Sequence, residues 1–520
     1  MPRAPICSGR TVAIAPVPVF ATERSLRDVN LAMGALTLSL FVAYSSNLVV
    51  LTALPKIVAD LHGSQASYTW IVTASMLTMA VCMPTWGRLS EIVDRKKWIQ
   101  AGVIFYVLAS ICAGFAQATW VIIACRAAIG FCASGIIILM QGIAAEIATP
   151  RHRARWIGYQ GAAISFATVG APSLGGFVAQ HFGWRWCFFL GVPTALPAIV
   201  MLHYTLDLPH REHPGVVRID WPGAFLIAAT IVGLMLWVSL IGPEQGFTSP
   251  SAFACLVFAA LTLATTIWWE RRAPRPILPF ELLGTRDMRL GAVAALGTGA
   301  AFYGCAVYLA LFLQIGRGFS PEVAGLMALP EAAAALLGAL VASRFIAHQG
   351  RYKAWLIGGG SMVITAFALL STIDRATTLP FVGMCVALIG GGLGMVSENL
   401  VLMAQTSVTR DRAASAAALV NFFRMVSGIT FVQAMGALLT YRVGHITATH
   451  GLILRPGSSV PALGQLAPAS RAILQNAYAD GAATVFLAAI PLLALMLVAI
   501  FLLSNRVLEP DAPTLSPNRS

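Results

Sequence analysis

The chain is a succession of apolar stretches, each about as long as a bilayer is thick, joined by mostly short polar connections. No other feature limits its fold so severely. A membrane-spanning helix needs roughly 20 predominantly apolar residues. Fourteen stretches reach that length, at about 31–54, 68–87, 98–117, 119–144, 156–180, 186–205, 222–242, 252–269, 289–314, 323–346, 354–373, 379–403, 413–438 and 481–504. The longest connection, 441–480, is rich in Gly, Pro and Ser and reads as an exposed outer loop.

Charge agrees with this reading. Charged residues make up 11% of the chain and hydrophobic residues 58%, against about 25% charged in a soluble domain. A net charge of +13 raises the question of nucleic acid. The cations, however, sit in short segments between apolar runs, with no aromatic-interleaved basic stripe. With the N-terminus placed in the cytoplasm, only Lys56, Arg185, Arg317, Arg375, Arg442, Arg455 and Arg471 fall in outer loops. Most of the remaining lysines and arginines then lie inside, as membrane topology requires. An even number of spans returns the C-terminus to the same side. The nine cysteines form no CxxC pair and no Cys/His ligand spacing, so no metal site is expected. Nor does the chain contain HExxH, GxSxG or a Walker A sequence, which argues against an integral-membrane enzyme or an ATP-driven pump.

A weak internal repeat divides the chain. Gly87-Arg88-Leu89 through Arg95-Lys96-Lys97 follows the second span, and Ser343-Arg344-Phe345 through Gly350-Arg351-Tyr352-Lys353 follows the tenth. Each closes the second helix of a six-helix set, so two bundles with a helix pair inserted between them account for fourteen. Repeats of this kind are typical of secondary transporters, whose substrate site lies between the repeats.

Ordered motifs then identify a resemblance. They are Ala53-Leu54-Pro55, Trp70-Ile71-Val72-Thr73-Ala74, Gly87-Arg88-Leu89-Ser90-Glu91 with Asp94 and Arg95-Lys96-Lys97, and Arg126 with Gly130. Further along stand Gly158, Ala167, Ala171, Pro172, Gly175 and Gly176 in the fifth span, then Trp184-Arg185-Trp186, Asp220-Trp221-Pro222-Gly223, Gln314, Gly325 and Pro330. From about 31 to 504 the chain resembles the major facilitator superfamily, in its fourteen-helix drug:proton antiporter branch. The resemblance implies an all-α integral membrane fold of two six-helix bundles with two inserted central helices. Its parts would be a cytoplasmic tail (1–30), the first bundle (31–205), a linker with the inserted pair (206–270), the second bundle (271–504, including the outer loop) and a second tail (505–520). It also implies a gating loop at Gly87, Arg88, Glu91, Asp94 and Arg95, in which an acid beside several cations latches one half to the other. The small residues of the fifth span let a neighbouring helix approach closely, and in the family that motif accompanies export. Where the branch carries a proton-accepting acid in its first span, this chain has Ser46.

Charges inside a bilayer are expensive and mark function or interhelical pairing. Four stand out: Arg126, Glu331, Glu398 and Arg424. Glu398 and Arg424 lie equally far on either side of the turn near Asp411, so an antiparallel hairpin puts them at one depth. They read either as a proton-sensitive pair beside the cavity or as a permanent lock between two helices. Glu331, after Pro330, is a candidate proton carrier or a carboxylate at a helix end. Arg126 is a candidate partner for a proton site or a packing residue. Ser46, Asn47, Gln141, Phe302, Tyr303, Tyr308, Gln314, Asn399 and Asn421 are candidates for lining the pathway. Glu146 is expected to meet the solvated arginines Arg151, Arg153 and Arg155. The expected function is proton-coupled export of small amphipathic or drug-like compounds across a bacterial inner membrane. The alternative is a facilitator or importer with other coupling or none. Expected partners are the substrate, protons and the lipid bilayer, with an accessory periplasmic protein compatible with the scheme. No cofactor and no nucleic acid is expected.

Overall fold

The computed structural model describes residues 26–61, 65–206, 220–240, 250–273, 276–319, 321–450, 467–505 and 507–508. They form an all-helical molecule. The first bundle comprises α1 (Leu26–Asp60), α2 (Gln65–Leu89), α3 (Arg95–Gly114), α4 (Thr119–Ile147), α5 (Pro150–His181), α6 (Arg185–Phe189) and α7 (Val192–Thr205). Next in the chain come α8 (Trp221–Leu240) and α9 (Pro250–Glu270), which pack on each other. The second bundle comprises α10 (Arg286–Leu311), α11 (Pro321–Leu326), α12 (Ala328–Gln349), α13 (Lys353–Leu370), α14 (Leu379–Thr406), α15 (Ala413–Thr449) and α16 (Pro468–Leu502).

Local sequence sets several of these boundaries. Asp94 caps α3 by accepting from the amides of Lys96 and Lys97 at 3.1 and 3.3 Å. Thr149 caps α5 through the His152 amide at 3.3 Å, with Pro150 in the first turn, a position where its missing N–H has no helical partner to lose. Gly350 ends α12 at φ 73°, a left-handed conformation that glycine adopts without steric penalty.

The described residues of each of the fourteen apolar stretches fall mainly on helix. Among the described residues, eleven helices are long and apolar enough to cross a membrane, with α6 and α7 together counting as one. The helices outside that set are α2, α5 and α8. Several side chains of α2 and α5 lie outside the described residues. The described apolar part of α8 is the shorter Trp221–Leu234.

The segment 441–480 departs from the expected outer loop. α15 runs on to Thr449 and α16 begins at Pro468, so most of its described part is helical. The reason is packing: Leu439, Val443, Thr447, Leu474 and Ala477 are buried where these helices extend. Gly481 admits Leu439, since a Cβ there would lie 2.5 Å from Leu439 Cδ1.

The bundles meet along α5 against α12 and α15 against α2 and α4. Within the second bundle, α14 is packed backbone to backbone. A Cβ on Gly390 would stand 2.0 Å from the Glu331 carbonyl oxygen, one on Gly394 2.2 Å from that of Ala335, and one on Gly338 2.4 Å from that of Gly391. Gly359 of α13 and Gly392 of α14 face each other in the same way, at 2.6 and 2.5 Å. Such approach is possible only where no side chain intervenes.

Candidate transport site and gate

The antiparallel α14–α15 hairpin brings Glu398 and Arg424 together: Arg424 Nη1 lies 3.3 Å from Glu398 Oε1. Both side chains are largely buried, at 11% and 17% exposure, where an unpaired charge is costly. The pair continues into a chain of hydrogen bonds. Arg424 Nη2 donates to Asn421 Oδ1 at 2.5 Å, and Asn421 Nδ2 donates to Gln141 Oε1 of α4 at 2.9 Å. The Gln141 carbonyl accepts from Gln405 Nε2 of α14 at 3.1 Å, and Gln405 Oε1 accepts from Arg153 Nη1 of α5 at 2.7 Å. The chain therefore passes three times between the bundles. Tyr44 of α1 and Tyr303 of α10 flank the Arg424 guanidinium. Met33, Gln141, Arg153, Glu398 and Gln405 line a small cleft of about 20 Å³.

A second set of contacts joins the bundles at the end where α1 begins and α16 finishes. Glu91 pairs with Arg88 and accepts from the Ser415 hydroxyl of α15. Gly87 lets α15 close in, since a Cβ there would sit 2.6 Å from Ala418 Cβ. Arg95, 2% exposed, donates to the carbonyls of Ser90 at 2.8 Å, Gly142 at 3.1 Å and Asp411 at 3.5 Å. It also bridges to Glu146 at 2.8 Å. Glu146 thus serves Arg95. Asp94 faces its own helix, with Lys97 Nζ at 3.5 Å. In α5, a Cβ on Gly158 would collide with Ser343 Oγ at 2.2 Å and one on Gly161 with Ala339 Cβ at 2.6 Å. The two bundles are tightly closed at this end.

The other candidates scatter. Arg126 is 1% exposed and binds within the first bundle, to the Ile71 carbonyl at 3.1 Å and Ser75 Oγ at 2.7 Å. Gly130 makes room for that contact, its Cβ position lying 2.2 Å from the Ser75 carbonyl oxygen. Glu331 is half-buried in the first turn of α12 and stands outside the hydrogen-bonded chain. Asn399 turns back to the Met395 carbonyl of its own helix at 2.8 Å. Tyr308 is buried and donates to the Val432 carbonyl inside the second bundle. Phe302 stacks edge-on with Tyr303 at 5.1 Å. Gln314 sits in a π-helical turn, Phe312–Gly316, that extends α10. Ala167 is buried, and Ala171 borders a cavity of about 290 Å³ inside the first bundle. The Gly175 carbonyl accepts from Cys187 Sγ at 3.4 Å, while Gly176 has open space around it. The side chains of Ser46, Asn47 and Pro172 lie outside the described residues.

Sequence reasoning missed Gln405, Arg153 and Ser415 as members of the inter-bundle contacts. Gln405 carried the only usable signal, a long polar side chain just past the end of the apolar stretch 379–403.

Comparison with known proteins bears on the whole arrangement. An uncharacterised MFS-type transporter of Mycobacterium tuberculosis is 29% identical over 466 residues, covering 89% of this chain and 67% of that protein. The multidrug transporter protein MdtP of Bacillus subtilis is 26% identical over 418 residues, covering 80% and 76%. The fold is also that of the human organic anion transporter MFSD10, with a TM-score of 0.60 at 13% identity, covering 89% of this chain and 99% of that one. The model of the Major Facilitator Superfamily matches residues 36–432, a stretch that takes in the latch, the Glu398–Arg424 pair and both faces between the bundles. This membrane-spanning chain, a transporter and not an enzyme, belongs to the Major Facilitator Superfamily.

Proposed function

We propose that the protein is a proton-coupled exporter of small drug-like or amphipathic compounds. In this reading it has fourteen spans, with both termini on the cytoplasmic side of a bacterial inner membrane. One observation carries the proposal: a buried carboxylate–guanidinium pair, Glu398 with Arg424, is linked by hydrogen bonds to both bundles. Protonation of Glu398 removes the charge that holds Arg424. The released guanidinium then weakens its hold on Asn421, and through it on Gln141 of the first bundle. A substrate that favours the state with Glu398 ionised is exchanged against the proton, because coupling requires that each ligand prefer a different state. The multidrug transporters among the relatives and the close α5–α12 contact at Gly158 support export. Ser46, in place of the usual first-span acid, makes Glu398 and Glu331 the leading coupling carboxyls. It also favours, as a second reading, a facilitator without proton coupling.

The test is growth of an efflux-deficient bacterium on a panel of toxic compounds with wild-type protein, Glu398→Gln, Glu331→Gln or an empty vector, at matched membrane expression. Resistance given by the wild type and lost in Glu398→Gln is the expected result. Full resistance in Glu398→Gln removes that residue from coupling, and no resistance with the wild type shifts the reading to a specialised exporter or an importer.

A further inference from the structure

At the end of the first bundle away from the termini, α6 breaks from α7 at Leu190–Gly191. Gly191 is required there, since a Cβ would come 2.4 Å from the Tyr106 hydroxyl oxygen. Beside the break, residues of α3, α5, α6 and α7 line a groove of about 960 Å³. Its walls are apolar, with Phe115, Phe182 and Trp186 each more than half exposed. A single cation, Arg185, stands at its mouth.

That arginine is held in place but not neutralised. Its guanidinium lies 4.3 Å above the Trp184 ring, and Nη2 reaches the Ala116 carbonyl at 3.5 Å. Trp184 is itself fixed by donating to Asp60 Oδ2 at 2.7 Å. Among the described residues no carboxylate pairs with Arg185. The helix ends Gly114, Thr119 and His181 and the exposed Trp120 share this level, where aromatic side chains mark the bilayer interface. From Arg185 the groove runs down to Val192 and Pro193, roughly 10 Å into the apolar layer at helical rise.

We propose that this groove binds one phospholipid, its phosphate on Arg185 and an acyl chain between α3, α5 and α7. An arginine fork matches phosphate oxygens, and the stacked, pre-oriented guanidinium lowers the ordering needed to bind. The site is separate from the inter-bundle pathway, so the proposal stands whatever the transported compound.

Native mass spectrometry of the purified full chain, incubated with micelles containing dioleoyl phosphatidylglycerol, measures it. The wild type is expected to retain one lipid through gentle activation. Arg185→Gln should weaken retention about tenfold or more, the scale of a lost charge-assisted hydrogen bond. Leu190→Trp, which fills the groove without touching the cation, should also abolish it and covers the case of a poorly folded Arg185 variant. Leu196→Trp, on an exposed face outside the groove, should leave it unchanged. Equal retention in wild type, Arg185→Gln and Leu190→Trp would show only annular lipid and overturn the proposal.

Discussion

Replacing Glu398 by Gln leaves the Arg424 guanidinium buried without its counter-charge. Removing one member of a buried pair typically costs 3–5 kcal/mol, and here the lower end, about 3 kcal/mol, is expected. Arg424 keeps Asn421 Oδ1 at 2.5 Å, and the Gln carbonyl still offers an acceptor. The double variant Glu398→Gln/Arg424→Gln removes both charges and should recover to within about 1 kcal/mol of wild type, as neutral replacements of buried pairs do. Equilibrium unfolding in mixed micelles gives the stability side of this cycle. Proton-driven transport in proteoliposomes gives the other side. If the pair is a structural lock, the double variant regains transport along with stability. If Glu398 carries the proton, stability returns and pH-driven transport does not. A single variant costing less than about 1 kcal/mol, or a double variant no better than the single, would refute the account of a buried and mutually dependent pair.

Gly87→Val would push a side chain into Ala418 at the latch, an overpacking of about 1–3 kcal/mol, and should open the closed end. A cysteine at Ser415, a position buried in the wild type, should then react with a membrane-impermeant maleimide, and unchanged protection would reject the latch. In the exposed α13–α14 connection, the Thr377 hydroxyl donates to Asp374 Oδ1 at 2.7 Å and holds that carboxyl below its ordinary value. A depressed carboxyl stabilises above its unfolded-state value and loses that contribution as pH falls through the folded one. The protection of the Thr377 amide, its exchange rate normalised to the intrinsic rate at each pH, should therefore fall on acidification in the wild type and show no such fall in Asp374→Asn.

The helices were legible because apolar length is a local property, and the Glu398–Arg424 contact because an antiparallel hairpin converts residue counts into depth. The helical extensions beyond Tyr441 and before Asp480 were not. Their sequence looks loop-like, and only the mutual burial of Val443, Thr447 and Leu474 makes them helix. Arg95 read as one of several interfacial cations, yet it is almost fully buried. Its burial depends on carbonyls of Ser90, Gly142 and Asp411, and backbone groups leave no trace in a residue pattern. Gln405 and Arg153 lie 252 residues apart, and no spacing rule joins them. Tyr308 and Asn399 were placed on the pathway by residue type alone. Which face of a weakly amphipathic helix turns inward is decided by its neighbours.

The backbone-to-backbone seams among α12, α13 and α14 leave little slack for sliding. Glu398 and Gln405 stand on one such helix, roughly 10 Å apart at helical rise. Any shift of α14 at the ion pair must reach Gln405 undiminished and carry α12 with it. The Arg153–Gln405 bond is already at 2.7 Å, so a travel of about 1 Å would carry it past hydrogen-bond range. On the proposed coupling, the ion pair and the Arg153–Gln405 bond would then be two points of one stroke of these packed helices, with no hinge needed between them.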